Sequence, residues 1–140
     1  MKKLIVCALL ALASSLTADR AFAENPQIRI NIPFDFTVGH STLPSGNYRI
    51  AYDHSGIATI ANPDRGVTVV HLASNELPSS DETCKAVFDH YGEQYFLKQV
   101  SCNAANVNFA MSPSALQKKA LEQAVINAVA AQSVSASRSR

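Results

Sequence analysis

The chain carries 140 residues with a formal net charge of +1, of which 47% are hydrophobic and 16% charged. That length holds one domain, and the apolar content excludes wholesale disorder. The near-neutral balance lacks both the electrostatic footprint of a nucleic-acid-binding domain and the positive charge that draws a protein to an anionic membrane.

The chain opens on an export pattern. Lys2 and Lys3 form a basic n-region, and Leu4 to Leu16 is an apolar run broken only by Ser14 and Ser15. Ala21-Phe22-Ala23 then places small residues three and one positions before a cut, so residues 1–23 read as a signal peptide cleaved between Ala23 and Glu24. Leu16-Thr17-Ala18 is a weaker alternative cut. The apolar run falls short of the ~20 residues a spanning helix needs, and no later segment reaches that length, so no transmembrane segment is expected in the mature chain. Export removes Lys2, Lys3, Arg20 and Asp19, so twelve basic and eleven acidic residues become nine and ten, a net charge of −1. Loss of Cys7 leaves Cys84 and Cys102, which in an oxidising periplasm or medium have one intramolecular pairing open to them. They flank Gly92-Glu93 nearly symmetrically, and a hairpin register centred on Glu93 sets them opposite each other; the alternative is two free, buried thiols.

The β domain, residues 24–111, begins with strict alternation. Ile28, Ile30, Ile32, Phe34, Phe36 and Val38 occupy the even positions, and Gln27, Arg29, Asn31, Pro33, Asp35 and Thr37 the odd ones. This predicts a strand with one face buried and one wet, bent or at a sheet edge where Pro33 lacks an amide hydrogen. Gly39 to Gly46 reads as a turn region, Tyr48 to Tyr52 as a second strand and Ile57 to Ala61 as a third. Asn62-Pro63-Asp64-Arg65-Gly66 is strong turn chemistry before a β-branched strand from Val67 to Ala73. After a polar loop at Pro78 to Glu82, Lys85–Tyr91 and Gln94–Ser101 form a hairpin about Gly92-Glu93, and Val107, Phe109 and Met111 mark one more strand.

The period then changes. Ser112 is suited to cap a helix and Pro113 to begin one, and Leu121, Ala124, Val125, Ala128 and Val129 follow a helical stripe, giving a C-terminal helix over residues 112–132. Residues 133–140, rich in Ser and Arg, read as a disordered tail. The fold class expected is mainly β: an antiparallel sandwich or small barrel of about seven or eight strands with one C-terminal α-helix.

No catalytic, cofactor-binding or metal-binding residue is assigned from the sequence, and no cofactor is expected. His40, His54, His71 and His90 have no ligand spacing between them, and neither mature cysteine sits in a CxxC pair. Asp53-His54-Ser55 contains the residue types of a triad, but adjacent side chains diverge and the run lies in a predicted turn. Asp89 and His90, consecutive on a strand, would face opposite ways. Tyr48, Tyr52, Tyr91 and Tyr95 are expected to pack in or near the core.

Ile30-Asn31-Ile32-Pro33-Phe34-Asp35-Phe36-Thr37-Val38-Gly39, followed by Leu43-Pro44-Ser45-Gly46-Asn47-Tyr48, resembles the opening of an uncharacterised group of small exported proteins from soil bacteria. That group shares I-P-F-x-F-x-V-G and then L-P-x-G-x-Y. The hairpin from Val87 to Val100, with Val87-Phe88, Tyr91-Gly92, Tyr95-Phe96-Leu97 and Gln99-Val100, is similar to theirs. The resemblance implies an exported β domain and carries no activity with it. The group has a charged helix after the hairpin, whereas here that helix is Ala-rich.

Three functions fit a compact exported β domain. The first is a non-catalytic envelope or secreted module that binds an unknown protein or envelope component, with self-association through the C-terminal helix as one route. The second is a small-ligand carrier with an apolar cavity, and the third a secreted hydrolase. A filled core with an apolar surface patch would favour the first, an empty barrel the second, and a polar cleft with two perturbed titratable groups the third.

Overall fold

The computed structural model describes residues 26–138 apart from positions 54 and 79, with side chains described as far as residue 131. The signal peptide and the Ala23–Glu24 cleavage site lie outside the described residues. Among the described residues the fold is mainly β with one C-terminal helix, as the periodicities imply, and the nine strands do not close into a barrel.

One layer of this sandwich-like arrangement is antiparallel: β1 (Gln27–Ile32) beside the meander of β4 (Gly46–Tyr52), β5 (Ile57–Asn62) and the first part of β6 (Val67–Asn75). The other contains β2 (Phe36–Val38), β3 (Ser41–Leu43), β7 (Lys85–Tyr91), β8 (Gln94–Cys102) and β9 (Val107–Met111). β6 belongs to both, because Val67 to Leu72 pair with β5 while Ala73 to Asn75 pair with β9. Between the layers lie Ile28, Ile32, Tyr48, Ile50, Tyr52 and Ile60 from the first and Phe36, Leu43, Leu97, Val100, Val107 and Phe109 from the second, all buried.

The alternating N-terminal segment is two strands rather than one. β1 ends at Ile32 in the first layer, the chain turns through Pro33-Phe34-Asp35, and β2 starts at Phe36 in the second. Pro33 is exposed at the bend, and having no N–H to give to a ladder it suits the crossing. Alternation survives in part: Ile28, Ile32, Phe36 and Val38 are buried, and Ile30 and Phe34 half-buried. The expectation of a wet Thr37 is corrected, since it is 8% exposed. β2 is paired on both sides, antiparallel to β3 and, through Thr37 opposite Phe96, parallel to β8. Between these two neighbours the Thr37 side chain is nearly enclosed, and its hydroxyl finds that of Thr42 at 3.3 Å.

β3 lies inside the region read as a turn. Gly39 and His40 join Val38 to Ser41 in a two-residue hairpin, with Gly39 at φ 61°, a left-handed conformation at the first loop position that Gly adopts freely. Tyr48, buried in the core, donates its hydroxyl to the carbonyl of Pro44, and Asp35 accepts the Ser45 amide at 2.8 Å. The L-P-x-G-x-Y segment is thus tied down at both ends.

The helix, α1, runs Ala115–Arg138, later in its start than the expected Ser112 cap and past the expected end at Gln132. Ser114, not Ser112, is the cap: its hydroxyl accepts the Gln117 amide at 3.1 Å, and the Lys118 amide bonds its carbonyl. Ser114-Ala115-Leu116-Gln117 is an S-x-x-Q capping pattern legible in the sequence.

Candidate binding surfaces

The hairpin of β7 and β8 carries the most constructed local geometry in the molecule. Gly92 and Glu93 form its two-residue loop, with Tyr91 opposite Gln94 and Gly92 at φ 62°. The register therefore centres between Gly92 and Glu93 rather than on Glu93. Continued unbroken, it would set Cys84 opposite Ser101. A β-bulge intervenes: Phe88 faces Leu97 but Val87 faces Gln99, so Lys98 is the extra residue. The one-residue shift brings Lys85 opposite Ser101 and sets Cys84 beside Cys102, at a Cα–Cα distance of 4.1 Å. The disulfide Cys84–Cys102 forms there. A bulge re-aims side chains by adding one residue to one strand, and here it aligns the cysteines.

The two faces of the hairpin differ. On the core side, Phe88 meets Phe34 and Phe36 edge-on at 5.1 and 5.5 Å. Phe34 stacks on Tyr95, and Tyr95 on exposed His90, each at 4.2 Å. On the outer side, Asp89 receives Lys98 at 3.3 Å and the side-chain amide of Gln117 at 2.9 Å. Phe96, opposite Asp89 in the register, is buried on that same outer face. Asp89 and His90 do face opposite ways.

Among the described side chains of α1 Gln117 alone is buried, and Ala120 and Ala124 follow it half-buried. The helix thus lies on the hairpin by a narrow face of small residues. Of the apolar stripe, Ala124 joins this docked face, while its larger members point elsewhere: Leu121, Val125 and Val129 are 44, 54 and 61% exposed. A second exposed apolar group stands on the outer face of the first layer, where Val70 and Leu72 of β6 are 63 and 73% exposed and Leu72 pairs with Ile57.

The residues that might have built an active site are used otherwise. The Asp53 carboxylate accepts the Ser55 amide, the Ser55 hydroxyl and the Ile57 amide at 3.1, 2.7 and 2.9 Å; it organises a turn. His54 lies outside the described residues. His71 bonds through Nδ1 to the Leu72 carbonyl at 2.7 Å and lies against Gly39, where a β-carbon would meet its ring. Tyr48 and Tyr52 are core residues, the latter stacked on Phe109 at 5.1 Å, while Tyr91 and Tyr95 are half-buried. Asp81 is held below the ordinary carboxylate range by hydrogen bonds from the Thr83 hydroxyl and amide and from Lys85, in the exposed loop that leads into Cys84. Among the described residues no three His, Cys, Asp or Glu side chains gather to hold a metal ion, and no helix is long and apolar enough to cross a membrane.

The Gln117–Asp89 bond and the Lys98 bulge escape sequence reasoning. The first joins residues far apart in the chain, and the second is a choice of register that composition does not encode. Comparison of the chain with protein-family models, with curated proteins and with solved structures finds no match.

Proposed function

We propose that this protein is an exported, non-catalytic binding module, periplasmic or secreted, that meets its partner through α1. The observation that carries the reading is the outward stripe of Leu121, Val125 and Val129 on a helix whose neighbouring face rests on the domain. The space between the layers is filled by large side chains, among them Tyr48, Tyr52, Phe36 and Phe109, each below 2% exposed, which leaves the domain's recognition to its outside. Apolar side chains left in water at helical spacing are a cost that association removes. A second copy is the nearest partner able to match such a stripe, because a two-fold pairing sets it against itself. The disulfide is compatible with an oxidising compartment.

Light scattering coupled to size-exclusion chromatography tests the reading. The mature chain should self-associate with rising concentration, and the combined Leu121→Gln, Val125→Gln and Val129→Gln variant should stay monomeric with an unchanged β-sheet circular-dichroism spectrum. A mature chain that is monomeric at all concentrations, and that binds no envelope fraction through this stripe, would remove α1 from the reading. For the export half, intact mass of protein recovered from the periplasm or medium should begin at Glu24, and a retained Met1 overturns it.

A further inference from the structure

The outer face of the first layer breaks a pairing rule. In the β1–β4 register, Arg29 stands directly opposite Arg49. Like charges directly opposite on a sheet, with β-carbons ~5 Å apart, are destabilising. Both side chains are exposed, and a carboxylate beside them would relieve the repulsion. The ion pairs among the described residues are Lys85–Asp81 and Lys98–Asp89, and neither arginine takes part in one. The domain around them is otherwise close to neutral, so the pair is not one sample of a generally basic surface. A local rule broken with no ion pair to relieve it inside the fold, and with one carboxylate, Asp64, lining the same cleft as the two cations, points to compensation from outside it.

The setting is a cleft lined by Arg29, Arg49, Asn31, Asn47, Pro63 and Asp64. Asn31 faces Asn47 in the next outward pair of the register, and its amide donates to the Asn47 side-chain oxygen at 2.8 Å. Both residues are exposed, and that bond does not use the Asn47 amide nitrogen or the Asn31 oxygen, a donor and an acceptor beside two forked cations. Guanidinium groups suit planar oxyanions because each presents paired N–H donors. Beyond Arg49 the row continues through Ala61 to Thr68, and the row beside it runs Gln27, Ala51, Thr59. The small Ala51 and Ala61 keep the middle of this face low, and the second row ends on exposed Val70, opposite Thr59. No exposed aromatic ring in the cleft offers a base a stacking platform, since Tyr48 behind it is buried, so a nucleic acid is poorly served.

We infer that the Arg29–Arg49 cleft binds an anionic polysaccharide, with sugar carboxylates on the two guanidinium groups and hydroxyls on Asn31 and Asn47. This names a ligand class for the binding-module reading and rests on it, but it uses the face of β1 and β4 and no residue of α1. Asp64, which lines the same cleft and is in none of the ion pairs among the described residues, opposes the bound charge and limits affinity.

Isothermal titration of the full mature chain with tetragalacturonate, neutral cellotetraose and inorganic phosphate tests it. Tetragalacturonate should bind, more weakly as salt is raised, and cellotetraose should not. Arg29→Gln and Arg49→Gln should each weaken binding roughly tenfold or more, the loss that corresponds to removing charge-assisted hydrogen bonds. Both variants should melt at or above the parent temperature, because each removes a repulsion. Asp64→Asn should tighten binding. No tetragalacturonate binding, binding unchanged in both arginine variants, equal binding of the neutral sugar, or phosphate bound as tightly as the oligosaccharide would each overturn the assignment. Self-association through α1 would persist in any of those outcomes, so a failure here is distinct from a failure of that reading.

Discussion

The N-terminal segment from Ile28 to Val38 and helix α1 are both built on regularly spaced apolar side chains, yet Phe36 is 1% exposed and Val129 61%. In the first, alternation commits every second residue to one side of a ribbon, and two layers close over that side. When the chain crosses from one layer to the other at Pro33, the crossing keeps the same set turned inward. In α1 the apolar residues also form a stripe, but the helix is held to the hairpin by the neighbouring face, through Gln117, Ala120 and Ala124, and only Ala124 of the stripe is shared with it. Periodicity ensures that a hydrophobic face exists. Whether anything covers it depends on where the neighbouring elements leave room.

Stability measurements sharpen this contrast. Phe36→Ala should cost about 3–5 kcal/mol in a urea titration of the mature chain, the range for an enclosed aromatic, whereas Leu121→Ala should stay within about 0.5 kcal/mol, as surface changes do. Similar losses at the two sites would mean that α1 is packed more deeply than its exposure indicates.

Replacing both Cys84 and Cys102 by Ala should cost about 2–4 kcal/mol, toward the lower end because the β7–β8 ladder already restrains the loop that the bond closes. Urea midpoints of the parent with and without reductant should reproduce most of that difference.

Thr37→Ala should cost about 1–2 kcal/mol through lost methyl burial and the lost bond to Thr42. Thr37→Val, which keeps the shape, should cost less because Thr42 is exposed and can turn to water. Indifference to both changes would show that the face of β2 away from the core is open after all.

Gln117→Ala should cost about 1 kcal/mol and raise amide exchange in the first turns of α1 while leaving the β-sheet amides protected. Unchanged exchange in α1 would show that the helix is held by something other than Asp89.

The smallest effect concerns pH. Because hydrogen bonds hold Asp81 below its ordinary range, its contribution is present above that range and is lost as pH falls through the lowered value. Asp81→Asn should remove that part of the acid dependence, its small loss of stability showing at neutral pH and vanishing at low pH. An acid-unfolding curve identical to the parent's would show that the carboxylate adds nothing.

Residues whose fate is set by near neighbours were legible from the sequence alone. Alternation located the strands and most of the core, Asn62-Pro63-Asp64-Arg65-Gly66 its turn, and Gly92-Glu93 the hairpin that carries both cysteines. The change of period after Met111 located the helix, and Ser114-Ala115-Leu116-Gln117 held its true start for a reader looking for the capping pattern. Tertiary structure decided the rest. Thr37 looks solvent-facing until β8 pairs beside it, Arg29 and Arg49 are unrelated until β1 meets β4, and Cys84 reaches Cys102 only because the ladder takes in one extra residue at Lys98. The reason is common to all three: periodicity divides a strand into two faces, but burial, charge opposition and register belong to pairs of strands, and the pairing of distant strands is a property of the folded chain.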